Sequence, residues 1–299
     1  MGEDARTYML RALELACRAQ GRTSPNPLVG AVLVKDGCIV GEGFHRRAGA
    51  PHAEAEALRA AGEAAIGATA FVTLEPCTHH GRTPPCTDAL IAAGVAQVYS
   101  AIGDPNPHVN GGGHKRLRAA GIDVHVGICA EKAQEINRPF FKYVACGRPW
   151  VIAKFAMSLD GKLATRRGES QWITGDDARR HGHQLRNMAD AVLVGAGTAL
   201  ADDPRMTTRL PKTYGDLRNP LRIVVDSCGR VPPTARMFAA DLPGYAVLAT
   251  TEATTEKHCR KLQAQGVEVW RLPTGENQRV DLDALMDEIG RRELLTLLV

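Results

Sequence analysis

One hairpin signal, followed by regular alternation of strand and helix patterns, limits this chain to few architectures. Residues 29–34 and 38–43 have the apolar, β-branched character of strands. Asp36-Gly37 between them suits a two-residue primed turn, whose central positions need positive φ. An amphipathic helix over 8–20, stopped by Gly21, precedes this pair. Helix 53–61, strand 71–74, helix 86–93, strand 95–102, helix 115–120 and strand 122–126 follow. A hairpin feeding into strand–helix units predicts a mixed sheet with helices on its faces. This unit closes near Gly147. A second unit opens at Pro149-Trp150 and alternates again: strand 150–157, helix 176–187 with Thr174 as its cap, strands 191–195, 221–226 and 245–250, helix 256–265, strand 267–271, helix 282–291 and strand 294–299. The predicted class is α/β in two domains, 1–147 and 148–299, as suits 299 residues.

Composition excludes several functions. A hydrophobic fraction of 44% and a charged fraction of 23% are those of a globular chain. A dispersed net charge of +4 gives no nucleic-acid surface. No apolar run approaches the ~18 residues needed to span a membrane, and Met1-Gly-Glu-Asp is not a secretion signal. Eight cysteines show no disulfide framework, which favours a reducing compartment, the cytoplasm.

The chemistry lies in His52-Ala-Glu54, Glu75-Pro-Cys77 and Pro85-Cys86. One imidazole and two thiols supply three ligands for a tetrahedral zinc ion and leave its fourth place to water. Glu54 is placed to move protons for that water. Each residue alone has a bland reading, since His-x-Glu recurs by chance and a buried Cys is usually a small core residue. Together, with both cysteines where a strand gives way to a helix, they form the pattern of zinc deaminases of amino-substituted heterocycles. The residues leave open another base, such as free cytosine or a tRNA adenosine, and a zinc-stabilised scaffold without turnover. Eight residues between the cysteines and the modest charge weigh against the first, and Glu54 against the second.

Pro25-Asn-Pro-Leu-Val-Gly, Gly43-Phe-His45, His52-Ala-Glu54, Leu74-Glu-Pro-Cys-Thr-His-His-Gly-Arg-Thr-Pro-Pro-Cys86 and Asp104-Pro-Asn-Pro occur in that order. They resemble the deaminase domain of the bifunctional riboflavin-biosynthesis deaminase/reductases, a cytidine-deaminase-like fold. The resemblance implies a small phosphorylated pyrimidine, 2,5-diamino-6-(5-phosphoribosylamino)pyrimidin-4(3H)-one, as substrate. It also implies Asn26, His45, His80, Arg82, Asp104 and Asn106 as substrate-binding residues.

The second unit is similar to the reductase domain of the same family through Lys154-Phe-Ala-Met-Ser-Leu-Asp-Gly-Lys-Leu-Ala, Gly168-Glu-Ser-Gln-Trp-Ile-Thr174 and Val194-Gly-Ala-Gly-Thr198-Ala-Leu-Ala-Asp202-Asp-Pro204. That implies a dihydrofolate-reductase-like fold, NADPH as cofactor, and reduction of the ribosyl chain to ribityl. Met157, Trp172, Thr198, Asp202 and Ser227 would then lie on the cofactor, and Ser170, Arg186, Met206 and Arg209 on the substrate. Gly195-Ala-Gly197 lacks the third glycine of a dinucleotide fingerprint, so a classical Rossmann site is rejected. Asp160, in Ser-Leu-Asp-Gly, reads as a turn residue. A homo-oligomer is expected. Family members continue past the strand at 294–299 with an acidic residue, a Gly-Gly turn, a helix and further strands that this sequence lacks. The reductase unit is therefore expected to be incomplete at its C-terminus, with an exposed sheet edge. The alternative reading is a monofunctional deaminase with a non-functional reductase remnant.

Overall fold

The computed structural model describes residues 3–78, 84–106, 109, 111–170 and 172–299. The chain divides into two compact units, Met1–Cys146 and Gly147–Val299.

The first unit runs α1 (Glu3–Cys17), β1 (Gly30–Lys35), β2 (Cys38–Phe44), α2 (Ala53–Ala61), β3 (Thr69–Val72), α3 (Cys86–Ala92), β4 (Gln97–Ser100), α4 (Gly112–Ala119), β5 (Asp123–Val126), α5 (Ala130–Ile136) and α6 (Arg138–Cys146). Its sheet has the order β2-β1-β3-β4-β5. β1 is antiparallel to both β2 and β3, and β3, β4 and β5 are parallel. Asp36 and Gly37 take φ of 50° and 76°, the positive values that the primed turn requires. The strands bury both faces. Ala31, Leu33 and Val72 pack with Ala57, Leu90 and Leu117 on one side, whereas Val32, Val34 and Phe71 pack with Met9, Leu13 and Ala133 on the other. Period-two alternation thus sends successive β1 residues to opposite helix layers.

The second unit runs β6 (Trp150–Ile152), α7 (Asp176–Met188), β7 (Ala191–Gly195), α8 (Ala196–Asp202), β8 (Leu221–Val225), β9 (Ala246–Thr250), α9 (Glu256–Gln263), β10 (Glu268–Arg271), α10 (Leu282–Arg291) and β11 (Thr296–Leu298). These strands form a parallel six-stranded sheet of order β10-β9-β8-β7-β11-β6. Both faces are again apolar, with Val224 and Leu248 on one side and Ile223 and Val247 on the other, as a parallel sheet covered by helices requires.

Three expectations need correction. β11 is an inner strand, held between β7 and β6, so it offers no exposed edge; the edges of this sheet are β10 and β6. The strand expected over 150–157 ends at Ile152, because β11 offers only three residues to pair with it. Thr174 does not cap α7: the N-cap is Gly175, and no side chain caps that end.

Candidate active sites

In the first unit the sheet topology gathers loops from four strands at one end. β3 and β4 are parallel, so the segments leaving their C-termini, 73–77 and 101–106, emerge together. β1 is antiparallel to β3, and β2 to β1, so the entry to β1 with Asn26 and the exit of β2 with His45 lie at that same end. Asn26, His45, His52, Glu54, Glu75, Cys77, Asp104 and Asn106 all line one pocket there.

His52 is the N-cap residue of α2, and Glu54 lies in the first turn, buried at 4% exposure. Cys86 opens α3 directly after Pro85. The two helix starts meet above the exit of β3. His52 Nδ1 lies 3.1 Å from Cys86 Sγ and 3.5 Å from Cys77 Sγ. Tetrahedral zinc, with bonds of about 2.0 Å to N and about 2.3 Å to S, holds such donors roughly 3.5 Å apart. His52, Cys77 and Cys86 are the one three-residue cluster of this kind among the described residues, and their donor set fits zinc. The Cys86 backbone N–H donates to Cys77 Sγ at 3.4 Å. Hydrogen bonds from the Cys86 thiol and from His52 draw Cys77 well below the ordinary thiol range, while the bond to Cys77 pushes Cys86 up. These contacts favour thiolate at Cys77, the form in which a cysteine ligates a metal. Burial pushes the Glu54 carboxyl above its ordinary value, as suits a group that both takes and gives protons.

The His45 ring has its hydrogen-bonding sense fixed by its neighbours. Nδ1 lies 3.1 Å from the Pro51 carbonyl, which can only accept, so Nδ1 carries the proton. Nε2 then accepts from the Asn26 amide at 3.0 Å. Asn26 therefore keeps Oδ1 available as an acceptor. His80 and Arg82 lie outside the described residues.

In the second unit Arg186 (α7) and Arg209 converge on Thr207. Arg186 donates to its carbonyl at 3.2 Å, and Arg209 donates to its hydroxyl at 3.2 Å. The Arg209 backbone N–H donates to His183 Nδ1 at 3.2 Å. Burial, and then the neighbouring Arg209, pull Arg186 down to about 10. Burial, and then Arg186 and Arg209, pull His183 down to about 4. Lys154 is lowered by burial and by Arg186. Among the described residues neither Arg186 nor Arg209 forms an ion pair, so the cluster has the character of an anion site. Lys154 stands in a family-like motif, but neither it nor His183 has a local pattern that marks it as part of an anion site. The only trace of His183 is its spacing of three from Arg186 on one helix face.

The other residues expected in this unit are placed less closely. Thr198 and Asp202 lie one turn apart on α8, directly beyond β7, and Ser227 follows the adjacent β8. The Ser227 hydroxyl accepts from Val280 N–H at 3.0 Å. Met157 and Trp172 are 53% and 70% exposed, and Trp172 lies under the Arg179 guanidinium at 4.4 Å. Ser170 is half-buried. The Met206 side chain is a core residue at 1% exposure, so only its backbone, at φ 57°, can face a ligand. Ser158 Oγ donates to Asp160 within a turn closed by Gly161, as the Ser-Leu-Asp-Gly pattern predicts.

Known proteins match both units. The profile described as "Cytidine and deoxycytidylate deaminase zinc-binding region" matches residues 2–102, and the RibD C-terminal domain matches residues 149–299. The riboflavin biosynthesis protein RibD of Escherichia coli K12 is 47% identical over 296 residues, covering 96% of this chain and 78% of the relative. The chain belongs to the RibD family. The RibD protein of Aquifex aeolicus is 46% identical over 98% of this chain and 80% of its own length. The solved deaminase/reductase of Thermotoga maritima superposes with a TM-score of 0.86 at 40% identity, over 99% of this chain and 80% of that one, and Acinetobacter baumannii RibD does equally well. The RibD family joins a zinc-dependent deaminase to an NADPH-dependent reductase, and both halves are present here, so the monofunctional alternative is not favoured.

Proposed function

We propose that the two reactions are divided between the two units, with a boundary at 146–148, and that each uses the residues gathered at the sites above. The first is hydrolytic deamination of 2,5-diamino-6-(5-phosphoribosylamino)pyrimidin-4(3H)-one to 5-amino-6-(5-phosphoribosylamino)uracil. The second reduces the ribosyl chain of that product to ribityl. The observation that carries the reading is the convergence of His52, Cys77 and Cys86 beside buried Glu54 in one pocket.

His52, Cys77 and Cys86 would hold zinc, which would supply a water acidic enough to lose a proton near neutral pH. Glu54 takes the proton of the attacking water and returns protons to the ring nitrogen and the departing amine. Asn26 offers Oδ1 to an N–H of the pyrimidinone edge, because His45 holds its amide nitrogen. Asp104 and Asn106, which line the same pocket, bind the substrate, and His80 and Arg82 meet the phosphate. In the second unit NADPH supplies hydride. Thr198, Asp202, Ser227, Met157 and Trp172 bind the cofactor, whereas Arg186 and Arg209, with Ser170 and the Met206 backbone, hold the sugar phosphate. The unpaired positive cluster supports this assignment.

Assembly and location belong to the same proposal. Exposed Phe155, Leu159 and Leu163 support a homo-oligomer, which light scattering would test. Eight free cysteines support a reducing cytoplasm. No helix among the described residues is long and apolar enough to cross a membrane, and RNA is not expected to compete with substrate. A paired assay on the zinc-loaded chain tests the whole reading, with ammonia release and NADPH oxidation followed separately. Both should occur; silence in either rejects the assignment of that unit.

A further inference from the structure

Glu75 has no part in the chemistry above, yet its side chain is completely buried. Its carboxylate is saturated by backbone donors from one distant segment. Oε2 accepts from Asp104 N–H at 3.2 Å and Gly111 N–H at 2.9 Å. Oε1 accepts from Gly113 N–H at 2.8 Å and His114 N–H at 3.2 Å. Two donors per oxygen is the full capacity of a carboxylate.

The geometry fits a missing cap. α4 opens with two glycines, and its N-cap, Gly111, has no side chain to satisfy the first amides. Gly113 and His114 are the second and third residues of the helix, whose N–H groups lack partners within it. Glu75 meets them from across the fold, with the negative charge that a helix start favours. The approach is tight. A Cβ on Gly113 would lie 2.0 Å from the Pro76 carbonyl, so only glycine permits it. Asp104 Oδ1 in turn accepts from Asn106 N–H at 2.8 Å.

We propose that Glu75 is a positioning residue that ties the substrate loop carrying Asp104 and Asn106 to the strand exit carrying Cys77, so that base recognition and the metal centre keep one fixed spacing. This rests on the reading of Asp104 and Asn106 as substrate groups. Glu75→Gln leaves one acceptor oxygen and turns an NH2 toward backbone N–H groups, so two of the four donors lose their partner.

The test uses the full zinc-loaded chain. In Glu75→Gln the KM for the diaminopyrimidinone should rise roughly 10- to 100-fold, with kcat changed much less, because the loss is one of placement. Zinc content and NADPH oxidation with the deaminated product should hold at wild-type values. Unchanged KM, or a loss confined to kcat, would overturn the proposal. A second measurement needs no variant: in the wild-type chain the amides of Asp104, Gly111, Gly113 and His114 should exchange with solvent as slowly as those of α2. Exchange at the rate of open loops would also overturn it. If the wild-type chain released no ammonia, the deaminase reading would fail, and the exchange measurement would still decide the clamp.

Discussion

Glu54 is useful to the reaction only if it can change charge while shielded from water, and its burial in the first turn of α2 gives it that setting. Glu54→Gln keeps the shape and removes the proton relay. Ammonia release is expected to fall by about 10²- to 10⁴-fold, while bound zinc, measured by atomic absorption, stays at one per chain. His183 provides a pH test in the other unit. Its folded pKa of about 4 lies below the ordinary 6.5, so between those values the unfolded chain binds more protons. Stability therefore rises with pH across that window and is lost as pH falls through it. The half-exposed ring limits the effect to about 1 kcal/mol. Thermal melts at pH 5 and 7 should show it, and His183→Gln should flatten the dependence. Glu54 could be read from the sequence because its partner His52 is two residues away. Glu75 and His183 could not be given roles, since their hydrogen-bond partners lie 26 to 39 residues off.

At the scale of elements, Asn137 does what a strand pair would otherwise do. Standing between α5 and α6, it accepts from Leu28 N–H at 2.8 Å and donates to the Leu28 carbonyl at 2.9 Å. It thereby holds the segment that delivers Asn26. Asn137→Ala would strand buried backbone groups, at a cost of about 2 kcal/mol. The first unit should melt several degrees lower, with a raised deaminase KM; an unchanged melt would reject the clamp. The helices α2 and α10 match their sequence-read limits because apolar spacing and clear start residues agree, and Asp281 caps α10 through Asp283 and Ala284 N–H. Capping of this kind is worth about 1 kcal/mol, so Asp281→Ala should lower the second unit's melt by a few degrees. The overrun at β6 has the opposite origin. Residues 153–157 are apolar enough to read as strand, but strand length is set by the neighbour, which no local pattern reveals.

At the scale of the whole molecule, two sites on separate units should fail separately. Chelation of zinc is expected to abolish ammonia release and to leave NADPH oxidation on the deaminated product intact. Arg186→Ala should raise KM for that product at least tenfold, as loss of a charge-assisted phosphate contact does, without touching deamination. Loss of both activities from either change would mean the units are coupled. The two-unit α/β plan was legible because alternation is a local signal repeated many times. The insertion of β11 between β6 and β7 was not, because it is a long-range choice. That insertion also ties distant segments together. Trp150–Ile152 has Thr296–Leu298 as its ladder neighbour, and Thr296–Leu298 lies in turn on β7, so the place of the first strand in the sheet depends on a strand far along the sequence. The hairpin of the first unit closes over two residues, whereas this sheet waits for a meeting of segments that bracket nearly the whole unit. Refolding should therefore show a fast first unit and a second whose rate is set by one distant encounter.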